Sequence, residues 1–404
     1  VGHYKYTLPS LQNFIHIFVR PRFLTGPRVL SLPVSMEGKK ILVTGASGYI
    51  AGHVILQLLK KGYSVRGTLR SLSNTKKYQY LIDLKEKLPQ YSDKIELVEA
   101  NLNDASCWDG AVAGCDCVIH VASPFIWKRP KDESELIKPA VEGTLNVLQS
   151  CSRNGIKKVV VTSSVAAITS GHLEEKEYDE KDWFNEKNKK LNIYMKSKGL
   201  AERAAWEYVK SLPSDKKIEL TTILPSGVVG PALTVLDFTS AAALSKLMNG
   251  EMPMQPPLKT SYVDVRDVAK AHVLAMESPI SGGNRYICAG DEVGLKDMAQ
   301  LLAHEFNRYG YGIKARNLPK CFVSVVALFD GDTRELKPLI GVNITVSNQK
   351  IRSDLGMTFR ELRSSIVEMT YDLITIGVVK KDKTKGQAQK RHTTVEMMMS
   401  QEYQ

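Results

Sequence analysis

No stretch of this sequence approaches the ~20 consecutive apolar residues that a membrane-crossing helix requires. Its apolar runs, such as Phe14–Val19 and Val159–Val161, fall well short, which argues against an integral membrane protein. Cysteine is sparse and dispersed: Cys107, Cys115, Cys117, Cys151, Cys288 and Cys321 form no C-x-x-C pair. Neither a clustered metal site nor the disulfide framework of a small secreted domain is expected from that spacing. Buried thiols in a reducing compartment, the cytoplasm, are the plain reading. What is present is the balance of a folded protein, with 43% apolar and 24% charged residues, so a disordered, collagen-like or coiled-coil chain is excluded. The 404 residues suggest two or three structural units.

Acidic residues are outnumbered, and the net charge of +12 invites a nucleic-acid reading. Its distribution argues otherwise. Residues 1–35 carry +4 and residues 380–404 carry +3, leaving only +5 over the 344 residues between. No block there forms a basic stripe with interleaved aromatics, and no nucleic-acid partner is expected. The first 35 residues hold Pro9, Pro21, Pro27 and Pro33 and no acid, and Met36 stands directly before Glu-Gly-Lys-Lys and an apolar strand. Residues 1–36 therefore read as a disordered or extraneous extension. A mitochondrial presequence is the less favoured alternative, because the prolines break the amphipathic helix it needs. The Lys-rich tail 380–404 reads as disordered, and Met397–Met399 do not make a membrane anchor.

Between these ends the pattern alternates. Lys40–Thr44, Ser64–Leu69, Ile95–Glu99, Cys117–Val121, Lys158–Thr162 and Glu219–Leu224 read as strands. Helices are expected over Tyr49–Lys61, within Thr75–Leu88, and over Glu133–Cys151 and about Tyr194–Leu212. Short apolar strands alternating with helices imply a parallel sheet buried on both faces, a doubly wound α/β fold. The last third is less regular. It holds a Pro-rich stretch Met252–Leu258, a strand–helix pair within Tyr262–Glu277 and a helix near Gly294–Phe306, which suggests a smaller interleaved lobe.

The first strand runs into Thr44-Gly45-Ala46-Ser47-Gly48-Tyr49-Ile50-Ala51-Gly52. Glycines at 45 and 48 permit a tight turn and close backbone approach to a pyrophosphate, and small Ala51 and Gly52 let the following helix pack on its strand. The spacing, G-x-x-G-x-x-A, is read as a dinucleotide-binding turn because it links a strand to a helix at the start of an alternating unit. The end of the second strand bears on which dinucleotide. An acid there would bind a ribose 2′-hydroxyl and favour NAD; this strand instead reads Ser64-Val65-Arg66-Gly67-Thr68-Leu69-Arg70-Ser71. Arg70 stands about where the acid would be and has the planar fork that suits a phosphate; Lys77 follows. Unless these are merely solvated cations, NADP(H) is the expected cofactor.

After the fifth strand comes Val161-Thr162-Ser163-Ser164, and thirty residues beyond Ser164 stands Tyr194-Met195-Lys196-Ser197-Lys198. A Tyr and a Lys at i, i+4 share a helical face. A phenol titrates near ~10 and needs a neighbouring positive charge to work as an acid/base at neutral pH. A serine hydroxyl would hold the substrate oxygen while hydride passes to or from its carbon. Tyr-x-x-x-Lys alone is common by chance; here its weight comes from following both a dinucleotide turn and a Ser-bearing strand end.

From about Gly38 to Val379 the chain resembles the extended short-chain dehydrogenase/reductases, in particular the dihydroflavonol 4-reductase, cinnamoyl-CoA reductase and aldehyde/ketone reductase group. The resemblance rests on Val43–Ile50, Val121-Ala122-Ser123-Pro124, Val141–Val147, Thr162-Ser163-Ser164, Tyr194–Lys198 with Ala201-Glu202, Pro225 through Pro231, and Tyr262–His272. It implies a Rossmann domain over 37–231 plus about 260–290 and a substrate lobe over 232–259 plus 291–379. It further implies Ser164 as catalytic serine, Tyr194 as acid/base and Lys198 as its electrostatic partner. The cofactor contacts it implies are Gly45, Ser47, Gly48, Tyr49 and Ile50 in the turn, and Arg70 and Lys77 at the 2′-phosphate. Val121, Ala122 and Ser123 would lie beneath the ribose, and Pro225 and Val228 behind the nicotinamide, with Ser240 a further contact. Asn101-Leu102 stands where the family has Asp-Leu near the adenine; an amide oxygen can accept the same hydrogen bond.

The expected activity is NADPH-dependent reduction of an aldehyde or ketone, with a small-molecule carbonyl compound as partner and either a monomer or a homodimer as the working form. Flavonoid reducers carry Asn where this chain has Thr169, so the resemblance does not specify a flavonoid. The segments 124–130, 232–252 and 318–332 are expected to line the substrate pocket. A hydroxysteroid dehydrogenase, an NAD-dependent sugar-nucleotide epimerase or a catalytically silent dinucleotide sensor are the alternatives; Arg70 argues against the second and the intact Ser/Tyr/Lys set against the third. His120 is expected to be a packed strand-end residue, and Asp264, Asp267 and His272 to be structural rather than metal ligands.

Overall fold

The alternation of apolar side chains along each short run decides the layering. In β1 (Lys40–Thr44), Ile41 and Val43 join one apolar cluster with Val54, Ile55 and Val268. Leu42, between them, joins another with Val147, Leu148 and Ala205 on the opposite face. All three are fully buried, as a period of two demands of a strand covered on both sides. The computed structural model describes residues 38–124, 132–188, 191–233, 239–329, 334, 337 and 340–379. The expectations for 1–36 and 380–404, and for parts of the three pocket-lining segments, lie outside the described residues.

The remaining strands are β2 (Ser64–Leu69), β3 (Ile95–Glu99), β4 (Cys117–His120), β5 (Lys158–Thr162), β6 (Glu177–Tyr178), β7 (Glu219–Pro225), β8 (Gly227–Val229), β9 (Lys259–Asp264), β10 (Asn284–Cys288), β11 (Glu292–Gly294) and β12 (Thr345–Val346). Seven of them form one sheet in the order β10-β7-β5-β4-β1-β2-β3, every pair parallel. This is the doubly wound fold expected from the alternation. Strand order reverses between β1 and β4, and ligands of open α/β sheets bind at that crevice, beyond the carboxyl ends of the strands. Helices Tyr49–Lys60 and Val265–Glu277 pack together on one face, and Ser134–Arg153 and Ile193–Ser211 on the other.

Several boundaries differ from expectation for visible reasons. Val121 leaves β4 because its N–H donates to the side chain of Thr44, Oγ1 at 3.0 Å, rather than to a backbone carbonyl of the neighbouring strand. The polar stretch 75–88 splits into a 3-10 turn, Thr75–Tyr78, and a helix, Gln79–Lys87. The last third adds a three-stranded sheet, β11-β9-β8, and pairs the distant two-residue strands β6 and β12. Its apolar cluster unites Val229, Leu244, Met298, Leu302, Phe306, Ile366 and Met369. No described helix is long and apolar enough to cross a membrane.

One polar contact pins the chain just after β8. Asp372, on helix Leu362–Thr375, accepts the Ala232 N–H at 2.7 Å. Burial pushes its carboxyl up to about 7; the Ala232 N–H pulls it back, and Glu368 raises it further. A folded-state acid titrating above its ordinary value near 3.8 binds more protons than the unfolded chain. Its contribution to stability is therefore full at low pH and is lost as pH rises towards 7. Asp372→Asn mimics the protonated acid. Its melting temperature should gain on that of the wild type between pH 5 and pH 8, by the equivalent of roughly 2–3 kcal/mol. A difference independent of pH would contradict this.

Candidate active site

The turn after β1 is shaped by close approaches that only small residues allow. Gly45 has φ +71°, and a Cβ there would lie 3.0 Å from Ala122 Cβ, so a side chain would be both strained and crowded. Its N–H donates to Thr68 Oγ1 at 3.1 Å, and the Ala46 N–H donates to Thr68 O at 2.8 Å. Gly67 leaves room for Ala46: a Cβ at 67 would come within 2.8 Å of Ala46 Cβ. Tyr80 donates to Ala46 O at 2.5 Å and closes the turn from the other side. Helix Tyr49–Lys60 then begins at Gly48 with no capping side chain and no acid in its first turn. Its positive end begins at exposed Gly48, which is the chemistry of an anion site. Tyr49 turns inward instead, donating to Gly230 O at 2.8 Å, and Ile50 packs between two apolar clusters. Of these two residues, the backbone is what remains for a ligand.

At the end of β2, Arg70 is exposed, and Lys77 is exposed on the 3-10 turn that follows. The intervening loop is held in shape by its own polar groups. Glu99 Oε1 accepts the Leu72 N–H at 2.6 Å, Tyr78 donates to Leu72 O at 2.6 Å, and the Ser71 and Ser73 hydroxyls lie 2.8 Å apart. No acid occupies the strand end itself. Asn101, just beyond β3, is exposed; its side-chain oxygen accepts the Asn103 N–H at 3.2 Å. Leu102 lies against Gly143, where a Cβ would approach it to 2.9 Å.

Thr44 fixes the loop after β4. Its hydroxyl oxygen accepts the N–H groups of Val121 and Ala122, each at 3.0 Å, and lies 2.8 Å from His120 Nδ1. With two donors on its oxygen, the hydroxyl proton goes to Nδ1, which places the ring proton on Nε2. His120 is 2% exposed, and its pKa is lowered to about 3, by burial first and by the Lys198 ammonium second. Ser123, at the far end of this loop, is exposed.

Beside it, β5 ends in Ser163 and Ser164, and helix Ile193–Ser211 presents Tyr194 and Lys198. Asn192 Oδ1 caps this helix by accepting the Tyr194 N–H at 2.8 Å. Lys198 Nζ sits 5.6 Å from the centroid of the Tyr194 ring. Ser164 is half-buried, its Oγ accepting the Ala166 N–H at 3.2 Å. Ser163 plays a different part: it is buried and donates to Glu202 Oε2 at 2.7 Å, binding the helix to the strand end. Pro225 O accepts the Val165 N–H at 3.0 Å, tying the end of β7 to the serine loop, and Val228, in β8, packs against two apolar clusters. Ser240 lies on helix Thr239–Met248, with its side chain outside the described positions.

The residues set aside as structural have firm partners. Asp264, fully buried, meets Arg266 at 2.6 Å; burial would raise its carboxyl, and Arg266 outweighs that and holds it low. Asp267 accepts the Arg360 N–H at 2.7 Å, and burial pushes it up to about 6. His272 Nδ1 donates to Val268 O at 2.8 Å, so Nε2 accepts from the Thr162 hydroxyl at 2.7 Å. A separate cleft of about 540 Å³ lies between His172, Trp183, Phe184 and Arg203, with the Arg203 guanidinium paired to Glu186 at 2.6 Å.

The family model described as "NAD dependent epimerase/dehydratase family" matches residues 41–289, the span that contains the glycine turn, Ser164, Tyr194 and Lys198. The chain belongs to that family, the extended short-chain dehydrogenase/reductases. It is 35% identical over 339 residues to tetraketide alpha-pyrone reductase 1 of Arabidopsis thaliana, covering 82% of this chain and 96% of the relative. It is 40% identical over 253 residues to cinnamoyl-CoA reductase CAD2 of Medicago truncatula, covering 61% and 74%. Among solved structures, yeast methylglyoxal/isovaleraldehyde reductase Gre2 complexed with NADPH matches at TM-score 0.69 and 26% identity, over 84% of this chain and 99% of that one.

The sequence reading missed Thr44, Glu202 and Arg285 as organisers of the site. Glu202 carried a signal: it is the acid eight residues after Tyr194, on the same helical stripe and surrounded by alanines. Thr44→Val should leave the Val121 and Ala122 N–H groups without their acceptor and destabilise the protein by roughly 1–3 kcal/mol, measured by urea unfolding. A change within error would show that the hydroxyl does not hold this loop.

Proposed function

We propose that this protein is an NADPH-dependent reductase of an aldehyde or ketone. The observation that carries the reading is the Tyr194–Lys198 pair on a helix that Glu202 bonds to Ser163, just past β5 and one strand from where strand order reverses between β1 and β4. The names of the relatives agree with it: they are reductases, and one solved neighbour was crystallised with NADPH.

The residues present fit a dinucleotide. The glycine turn leaves a cradle that a Cβ would fill, the helix end is uncapped, and the end of β2 offers a cation rather than an acid. The backbone of Gly45, Ser47, Gly48, Tyr49 and Ile50 would receive the pyrophosphate. Arg70 and Lys77 would hold the 2′-phosphate, Asn101 and Leu102 the adenine, and Val121, Ala122 and Ser123 the ribose side. Pro225 and Val228 would form the wall behind the nicotinamide, with Ser240 a further contact. When bound, the cofactor supplies hydride from its nicotinamide ring to the substrate carbon. Ser164 donates a hydrogen bond to the carbonyl oxygen and orients it. Tyr194 gives that oxygen its proton as the alcohol forms, and the Lys198 ammonium stabilises the phenolate left behind. In reverse, the same groups oxidise a CH–OH donor. We place the cofactor in 37–231 plus about 260–290 and the substrate against 232–259 plus 291–379.

Two variants test this reading. Tyr194→Phe should lower NADPH oxidation with a panel of aldehydes and ketones by at least 100-fold, in the range typical of lost acid/base groups; equal rates would reject the mechanism. Arg70→Glu should reverse cofactor preference, raising KM for NADPH at least tenfold while leaving NADH turnover measurable. An unchanged preference would reject Arg70 as the phosphate contact.

A further inference from the structure

One carboxylate near the site takes no part in the mechanism above, yet it carries an unusual set of bonds. Glu202 is 2% exposed. Its Oε2 accepts from Ser163 Oγ at 2.7 Å and from Arg285 Nη2 at 3.2 Å. Its Oε1 accepts from Thr222 Oγ1 at 2.8 Å, Arg285 Nε at 2.8 Å and Trp206 Nε1 at 3.2 Å. The donors come from the end of β5, from β7, from β10 and from the helix itself. Arg285 is in turn held on its other side: Nη1 donates to Glu180 O at 2.9 Å and Asp182 O at 2.7 Å, and its guanidinium lies 3.8 Å from the Trp183 ring centroid.

Tyr194, Lys198 and Glu202 follow one another at four-residue intervals, so they line one stripe of helix Ile193–Ser211. An unneutralised carboxylate one turn beyond Lys198 would compete with Tyr194 for the ammonium. The bidentate Arg285 fork takes up that charge. We propose that Glu202 and Arg285 are a positioning pair: the carboxylate fastens the helix bearing Tyr194 and Lys198 to β7, β10 and the residue after β5, and the guanidinium absorbs its charge so that Lys198 acts on Tyr194 alone. The proposal rests on the reading of Tyr194 and Lys198 as acid/base and partner. Among the described residues, other ionisable groups around this stripe include His120, held neutral by burial, Lys196, paired with Glu133 at 2.7 Å, and Arg203, paired with Glu186 at 2.6 Å and lying over the Trp183 ring that Arg285 also covers. Around Arg285, the Glu180 carboxylate accepts the Ile287 N–H at 3.0 Å, and Asp182 is paired with Lys176 at 2.7 Å.

The test is the pH profile of kcat/KM for alcohol oxidation with NADP+, where the acid/base must start unprotonated. Glu202→Gln leaves the Arg285 cation unopposed and should move the profile to lower pH by half a unit or more. Arg285→Met leaves the carboxylate unopposed and should move it to higher pH by a unit or more, a tenfold loss of rate on the acid limb. The double variant should return towards the wild-type position. Opposite shifts that cancel are not what general loosening of the fold produces; shifts of one sign, or none, overturn the charge-partition proposal. Breaking a buried pair can prevent folding, and if Arg285→Met does not fold, the direction of the Glu202→Gln shift decides. Hydrogen exchange, independent of turnover, reads the fastening. Ser163→Ala and Glu202→Gln should speed exchange of amides 196–203 at least tenfold relative to helix Ser134–Arg153, and unchanged exchange overturns that half. Wild-type turnover comes first: if it is absent, or survives in Tyr194→Phe, the functional reading fails and the exchange result still judges the clamp.

Discussion

Helix Ile193–Ser211 cannot slide or rotate on the sheet without breaking several buried hydrogen bonds at once, because Glu202 gathers donors from Ser163, Thr222 and Arg285 at 2.7–3.2 Å. That constraint sets where Tyr194 and Lys198 stand relative to the serine-bearing end of β5. A second polar node does the same for the adjoining loop. Thr44 gathers Val121, Ala122 and His120 at 2.8–3.0 Å, so the carboxyl ends of β1 and β4 are tied where the strand order reverses. The Glu202 carboxylate and the Thr44 hydroxyl each have their partners, which is the condition for such nodes to rigidify a site rather than weaken it.

The electrostatics of the crevice follow from what these nodes leave free. The dinucleotide turn opens onto an uncapped helix end with no acid in its first turn, and the end of β2 adds Arg70. His120, beneath the loop, stays neutral and adds no charge of its own. Negative charge near the site is taken up elsewhere: Glu202 by Arg285, Asp264 by Arg266, Glu133 by Lys196. Arg70 and Lys198 are then cations suited to a polyanionic cofactor and to an oxyanion forming on a substrate.

Much of this was legible in the sequence because it is local. A strand of five residues, a glycine turn and a Tyr–Lys pair at four-residue spacing are each written within one short window, and period-two burial in β1 follows from its own letters. What escaped is non-local. Glu202 and Arg285 are 83 positions apart, Thr44 and His120 are 76 apart, and β6 pairs with β12 across more than 160 residues. Side chains that meet only after folding leave no pattern in a single window. The three-residue strands β8 and β11 carry too few residues for alternation to show. Parts of the segments expected to line the substrate pocket, 124–130, 232–252 and 318–332, lie outside the described residues.

The central claim is that a phosphorylated nicotinamide dinucleotide lies across the β1–β4 crevice with its reactive ring beside Tyr194. A crystal structure of the protein with NADP+ tests it most directly. The account predicts pyrophosphate oxygens on the backbone of Gly45–Ile50, the 2′-phosphate against Arg70, and the nicotinamide between Tyr194 and the Pro225–Val228 wall. A dinucleotide bound elsewhere, or a nicotinamide ring turned away from the Tyr194 hydroxyl, would contradict it.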